Sequence, residues 1–533
     1  MNRMKPRYAA LIIALAGGYG TAFGQAFAGR VNWMDGAGLE HAARRVKVEV
    51  WGLVPNADGD FINTHLATTM TDQNGDYLAT ASGGVAHWLM VYPDGPAGTV
   101  VLDVATSDPT PVFGGAGGPM VIGNSSDAER SFAVYDALYT GYYFGTQARP
   151  GPPAPLLTRF PWTGSPATSH FSPGAGQIRV LSDDRWDWDV LLHEYSHYIG
   201  EADDLDDSPG GRHFFGVTNI GQADPRLPLR DKAAGTRLAW GEGLGNFLGV
   251  AMQQVNTGAT GQNMPVGMAN IGDDHYQDTI DLAIDFSLES HFGSGEGGEG
   301  EEVSVARILW DIADPSGGAD GAKDRVSKGF VELYEILDTS VTSPAGGPRQ
   351  LQNVWNYFTG GGQPDSVRAD FGAIFEEYGV SPRPVGGMVG GSVMFDAPAP
   401  TFDWTPQNNG ANETFGLIIF DDAWNRLLTI SVPGVDATSY TLSGAEWATL
   451  STLTAGGPED FKFIVNGWDL LSPTYEFYLT MGVGGGPVDA NGAFFATGGY
   501  WSDVYGFTVV PTPGSLALGA CAAAMLRRRR HVA

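Results

Sequence analysis

His193-Glu194-Tyr195-Ser196-His197 places two imidazoles around a carboxylate, within an apolar-periodic stretch that includes Trp186 to Leu192. On a helix, positions 193 and 197 lie one turn apart on one face, so both rings can reach a single metal ion. Two nitrogen ligands on a rigid helix suit Zn²⁺. Glu194, beside the first histidine, can take a proton from a metal-activated water as it attacks a carbonyl. The spacing therefore predicts His193 and His197 as metal ligands and Glu194 as general base. A catalytic zinc site also needs a third protein ligand and leaves a fourth position open.

Two segments compete to supply that ligand. Trp240-Gly241-Glu242-Gly243-Leu244-Gly245-Asn246-Phe247-Leu248 resembles the second zinc helix of the gluzincins, the group that includes thermolysin and the fungalysins. In that group a Glu-Gly pair opens the helix, and the resemblance implies Glu242 as third ligand. His193-Glu194-x-x-His197-x-x-Gly200-x-x-Asp203 resembles a metzincin in which Asp203 replaces the third histidine. Glu242 is preferred, because Asp203 belongs to an acidic run (Glu201, Asp203, Asp204, Asp206, Asp207) that reads as a solvated loop. The same run is a candidate Ca²⁺ site, without a twelve-residue EF-hand loop. Asn246 stands where thermolysin-like helices carry an aspartate that supports a zinc-bound histidine. Those enzymes also place a histidine on the lobe after the second zinc helix. That position implies His291, then His275, as the group that stabilises the oxyanion, with His170, His213 and Tyr276 also in the region.

Elements must hold these residues in place. Gln177-Ile178-Arg179-Val180-Leu181 is expected as the strand before the zinc helix, which in gluzincins is the edge strand that a peptide substrate pairs with. Ala133 to Phe144 and Val303 to Ile312 have helical periodicity. Before them, Val46, Val48 and Val50 alternate with Arg45, Lys47 and Glu49 as in a half-buried strand. Ala42 to Trp51, followed by Thr69 to Tyr77 with a hairpin turn at Asn74-Gly75, resembles the transthyretin-like or carboxypeptidase-regulatory β-sandwich family. After Pro382-Arg383-Pro384 the chain returns to short alternating segments, Gly416 to Phe420 and Leu427 to Val432. With Phe402 to Pro406 these resemble a fibronectin-III or immunoglobulin-like sandwich.

The ends read as addresses. Arg3, Lys5 and Arg7, the apolar run Ala9 to Ala16 and Ala26-Phe27-Ala28 have the order of a cleaved secretory signal. Val510-Pro511-Thr512-Pro513-Gly514, apolar Leu516 to Leu526 and Arg527 to Arg530 resemble a PEP-CTERM sorting tail, with Pro-Thr-Pro where that family has Pro-Glu-Pro. The resemblance implies an exosortase-type processing enzyme as partner and transient membrane contact through the tail. The eleven apolar residues from Leu516 to Leu526 are few against the roughly 20 that span a bilayer.

Composition agrees with an exported, multidomain protein. The chain has 533 residues, a single cysteine (Cys521) and a net charge of −30, which leaves no basic stripe for nucleic acid and no internal disulfide. The expected layout is a signal peptide over 1–28, a β-sandwich over 29–114, an α+β zincin catalytic domain over 115–385, a second β-sandwich over 386–510 and a sorting tail over 511–533. The expected function is a secreted or cell-surface zinc endopeptidase of a Gram-negative-type bacterium, acting on polypeptide. The different-class alternative is a surface binding or adhesion protein whose zinc site is structural or lapsed.

Overall fold

The computed structural model describes residues 25–510 except 83–85, 104–107, 212, 214–231, 261–271, 279–283, 291–297, 316–324, 344–346, 348–349, 360–364, 381–382, 386–390, 395, 406–413, 423–424, 435–436, 455–456, 469–498 and 502–504. The expected signal core, His291 and the expected sorting tail lie outside the described residues. The chain is multidomain, with mixed α and β content and several sheets. It forms two compact units, Met1–Ile199 with Leu248–Ser287, and Gly200–Phe247 with Leu288–Ala533.

The first part of the chain is β-rich. It contains β1 (Gln25–Met34), β2 (Glu40–Ala42), β3 (Lys47–Pro55), β4 (Phe61–Met70), β5 (Asp76–Ala81) and β6 (His87–Tyr92), then β7 (Asp94–Gly95), β8 (Gly98–Val101), β9 (Val112–Gly115) and β10 (Met120–Ile122). Strands β4-β3-β6-β9 make one sheet, and β10-β1-β2 with β5 on β1 make another. Val48 and Val50 are fully buried on β3, as the alternation predicts, because a strand turns successive side chains to opposite faces. Asn74-Gly75 is a turn, but β4 pairs with β3 and β5 with β1, so it joins two sheets and closes no hairpin.

The middle of the chain carries α1 (Asp127–Ala148), β11 (Leu156–Arg159), β12 (His170–Ser172), β13 (Gln177–Arg179), α2 (Trp188–Ala202), α3 (Lys232–Thr260), β14 (His275–Asp278) and β15 (Ile284–Ser287). Helices α4 (Glu302–Ala313), α5 (Phe330–Thr339), α6 (Leu351–Thr359) and α7 (Asp365–Glu377) follow. Helix α1 starts at a capping box in which Ser126 and Glu129 satisfy each other's backbone N–H. The buried Arg44 guanidinium, 2.7 Å from Asp136, ties α1 to the preceding strands. Every residue of α4 is buried, which makes it the core helix its periodicity predicts.

The last part holds β16 (Arg383–Val385), β17 (Ser392–Met394), β18 (Thr401–Thr405), β19 (Thr414–Asp421), β20 (Arg426–Pro433) and β21 (Ser439–Thr441). It ends with α8 (Gly444–Leu453), β22 (Glu459–Trp468), β23 (Gly499–Trp501) and β24 (Tyr505–Val510). A three-stranded sheet, β16-β18-β21, and a six-stranded sheet, β17-β24-β22-β19-β20 with β23 on β22, share one core. Phe402 and Trp404 from the first meet Phe415, Phe463 and Phe507 from the second.

Strands or strand pairings run across three of the expected cuts or end at them. Strand β1 begins at Gln25 and buries Phe27, so it crosses the expected cut at 28/29. Strand β16 pairs with β18 across 385/386. The cut at 114/115 departs most: β8 pairs in parallel with β11, within a sheet of order β12-β13-β11-β8-β7. The sheet whose strand β12 meets α2 therefore takes two strands from the region expected to be a separate sandwich.

Candidate metal centre

Helix α2 forms because Trp188, Leu191, Leu192, Tyr195 and Ile199 recur at helical spacing and are all fully buried. The Asp187 carboxylate just before it accepts from Val190 N at 3.4 Å. Its far end closes where Asp204 takes a left-handed conformation (φ 60°) and Leu205 N donates to Gly200 O at 2.7 Å. One turn apart on this helix, His193 Nε2 and His197 Nε2 are 3.0 Å from each other. His193 is buried and His197 partly exposed, so the pair has one face toward the core and one toward solvent.

Helix α3 is 29 residues long, and Glu242 lies inside it; the expectation that a Glu-Gly pair opens this helix is not met. Two of its glycines fix what it can approach. A Cβ on Gly249 would sit 3.0 Å from Asp189 O and 3.2 Å from His193 N, so its absence lets α3 touch the α2 backbone. A Cβ on Gly243 would sit 2.6 Å from Glu302 O, which lets α4 close on α3 next to Glu242. Glu242 is two turns before Gly249 and thus on the same face of α3. The result is that the ligand atoms of His193, His197 and Glu242 all lie within 4.8 Å of one another. Two imidazole nitrogens and one carboxylate oxygen are a donor set that fits a divalent metal and suits zinc.

Asp203 is not in this group. Its Oδ2 accepts from Tyr334 OH at 2.6 Å. Three more members of the acidic run also have protein partners: Gly347 N donates to Asp204 Oδ2 at 3.1 Å, Ser208 N to Asp206 Oδ1 at 2.8 Å, and Arg237 Nη1 to Asp207 Oδ2 at 3.0 Å. Among the described residues the run forms no metal-holding cluster.

Glu194 is on α2 between the two histidines, and its Oε2 accepts from the backbone N–H of Phe171 on β12. The strand expected at the sheet edge, Gln177 to Leu181, corresponds to β13, which is interior; the edge strand is β12, antiparallel to it. Phe171 therefore turns its N–H away from the ladder and toward Glu194. On the other side of the pair, Tyr276 of β14 has its ring centroid 5.7 Å from that of His193, and burial pushes its hydroxyl well above the usual phenol range.

The remaining histidines separate by their contacts. His275 alternates away from Tyr276 and pairs with Asp285 at 2.9 Å. His170 Nδ1 is 2.8 Å from Thr168 O, and its Nε2 is 3.3 Å from Arg179 Nη1. His213 reaches a member of the cluster, with Nε2 3.6 Å from Glu242 Oε2. Beneath the site, Asp189 accepts from Gln253 Nε2 at 2.5 Å and from Gln277 N at 2.9 Å. Burial nevertheless pushes its carboxyl up to about 7, and burial with the Asp189 charge raises Asp187 well above the carboxylate range. No periodicity marks these two aspartates as buried, since each follows a tryptophan in a short alternating run.

No protein-family model and no curated protein matches the chain. Among solved structures, a 9R-lipoxygenase from Cyanothece PCC8801 is similar over 26% of this chain and 28% of its own, at 14% identity and a TM-score of 0.12. That likeness carries no argument about fold or function.

Proposed function

We propose that the chain is a zinc-dependent endopeptidase of the zincin type, exported and acting outside the cell or at its surface. The observation that carries this reading is the meeting of His193, His197 and Glu242 beside Glu194. A zinc ion bound there would polarise a peptide carbonyl and lower the pKa of a water molecule. Glu194 then serves as the base, accepting a proton from the attacking water and returning it to the leaving amine. The Phe171 N–H holds one oxygen of that carboxylate and leaves the other for the proton. Edge strand β12 offers an extended polypeptide a place to pair, which favours peptide over small amides as substrate.

In this reading α1 to α7 and the sheet ending in β12 make an α+β catalytic region, with β-rich regions before and after it. A leader cut after Ala22-Phe23-Gly24 would keep β1 whole, since that strand starts at Gln25. The C-terminal tail would be the target of an exosortase-type enzyme. Among the described residues no helix is long and apolar enough to cross a membrane.

The test is metal analysis of the purified chain together with casein or gelatin hydrolysis, with and without a chelator. The expected result is about one equivalent of zinc and hydrolysis that stops on chelation and returns with zinc. Hydrolysis that ignores the chelator would overturn the mechanism. Bound zinc without hydrolysis would favour a binding or adhesion protein.

A further inference from the structure

His213 lies in the segment between α2 and α3, far in sequence from α4, yet its ring spans two carboxylates. Its Nδ1 is 2.9 Å from Glu302 Oε2 and 3.2 Å from Oε1, and its Nε2 is 3.6 Å from Glu242 Oε2. Glu302 is fully buried at the start of α4, and Glu242 is buried on α3. The close approach that Gly243 permits, with Glu302 O 2.6 Å from where its Cβ would be, is what brings two carboxylate-bearing positions side by side. Two like charges without intervening donors repel strongly in such a setting. An imidazole between them can donate from Nδ1 to Glu302, and it sets its Nε2 within ion-pair range of Glu242.

Neither His213 nor Glu302 belongs to the group of mutually close ligand atoms, so the chain Glu302–His213–Glu242 stands one layer behind the metal position. We infer that His213 is a positioning residue for Glu242: anchored by Glu302, it orients the ligand carboxylate toward His193 and His197. A carboxylate ligand rotates freely about its last bond unless its second oxygen is held, and loss of such support commonly weakens metal binding by about 10–100-fold. The inference rests on the zinc-site reading, but it concerns metal affinity and not hydrolysis.

The experiment is zinc competition against a chromophoric chelator with the full chain, comparing wild type, His213→Ala, His213→Gln, Glu302→Gln, the double variant His213→Ala with Glu302→Gln, and His275→Ala. His213→Ala is expected to bind zinc about 10–100-fold more weakly. Glu302→Gln should weaken it in the same direction, and the double variant should be no worse than His213→Ala. His213→Gln, whose amide N–H can reach Glu242, should recover most of the affinity, which a merely space-filling role would not produce. His275→Ala should match wild type. The cobalt-substituted visible spectrum should shift in His213→Ala and not in His275→Ala. Unchanged affinity in His213→Ala would overturn this inference alone, whereas a wild type that binds no zinc would overturn it together with the metal site. A third histidine nitrogen in the X-ray absorption of the zinc-loaded chain, lost in His213→Ala, would also overturn it, since His213 would then be a ligand.

Discussion

Glu194 and Glu242 are both glutamates near the same two histidines, and they make different contacts. Glu242 lies among the ligand atoms, while Glu194 is held by a backbone N–H from β12. On the proposed function, Glu194→Gln keeps the shape and removes the proposed base, so hydrolysis should fall by about 10²–10⁴-fold with zinc content unchanged, measured by elemental analysis beside a casein assay. Glu242→Ala should lose zinc and activity together, because two histidines alone hold the ion weakly. Asp203→Ala should keep both, and cost about 1 kcal/mol in a denaturant melt for the lost Tyr334 bond. Asp189 makes a pH prediction. Its folded carboxyl titrates near 7 because of burial, against an ordinary value of 3.8, so the folded state holds the proton more tightly than the unfolded chain. Its contribution to stability is therefore full below about pH 4 and is lost as pH rises through about 7. Melts at pH 5 and 7.5 should show this loss in wild type and a flatter profile in Asp189→Asn.

Between residues and the whole lie the helix crossings, where small side chains set distances. Intrinsic propensity favours alanine over glycine inside a helix by about 1 kcal/mol, so Gly243→Ala would stabilise an isolated α3. In the folded chain the new Cβ would be 2.6 Å from Glu302 O and equally close to Val305 Cβ, where backbone has to move. Overpacking of this kind costs about 1–3 kcal/mol. Gly243→Ala should thus lower the melting temperature and weaken zinc binding, because the crossing it disturbs carries Glu242. A more stable variant with normal zinc affinity would contradict the packing argument. The strand that faces Glu194 was not legible for a related reason. Gln177 to Leu181 and His170 to Ser172 are both plausible strands, and which of them ends a sheet depends on whether a third segment pairs beyond it.

At the scale of the whole molecule, the arrangement of sheets limits where the chain can be cut. Strand β11 lies between β13 and β8, and β8 comes from residues 98–101. A chain that starts at residue 115 leaves β11 with one open edge and removes the buried Val100 and Val101 from beneath α1. Such a fragment should melt earlier than the full chain, be cut faster by proteases and bind zinc poorly. A fragment as stable as the full chain in circular dichroism and proteolysis would show that β7 and β8 are dispensable.

What the sequence determines by itself is local. The one-turn spacing of His193 and His197, the buried face of α2, the alternation along β3 and the helical period of α4 follow from backbone periodicity, which needs no distant partner. Glu242 was readable from the residues around it, although its place inside a 29-residue helix was not. Tertiary structure decided the rest: that Glu242 and not Asp203 joins the histidines, that β12 is the sheet edge, that β8 belongs with β11, and that His213 stands between Glu242 and Glu302. Each of these depends on segments far apart in the chain meeting through complementary shape and charge, and no periodicity within either segment records its partner.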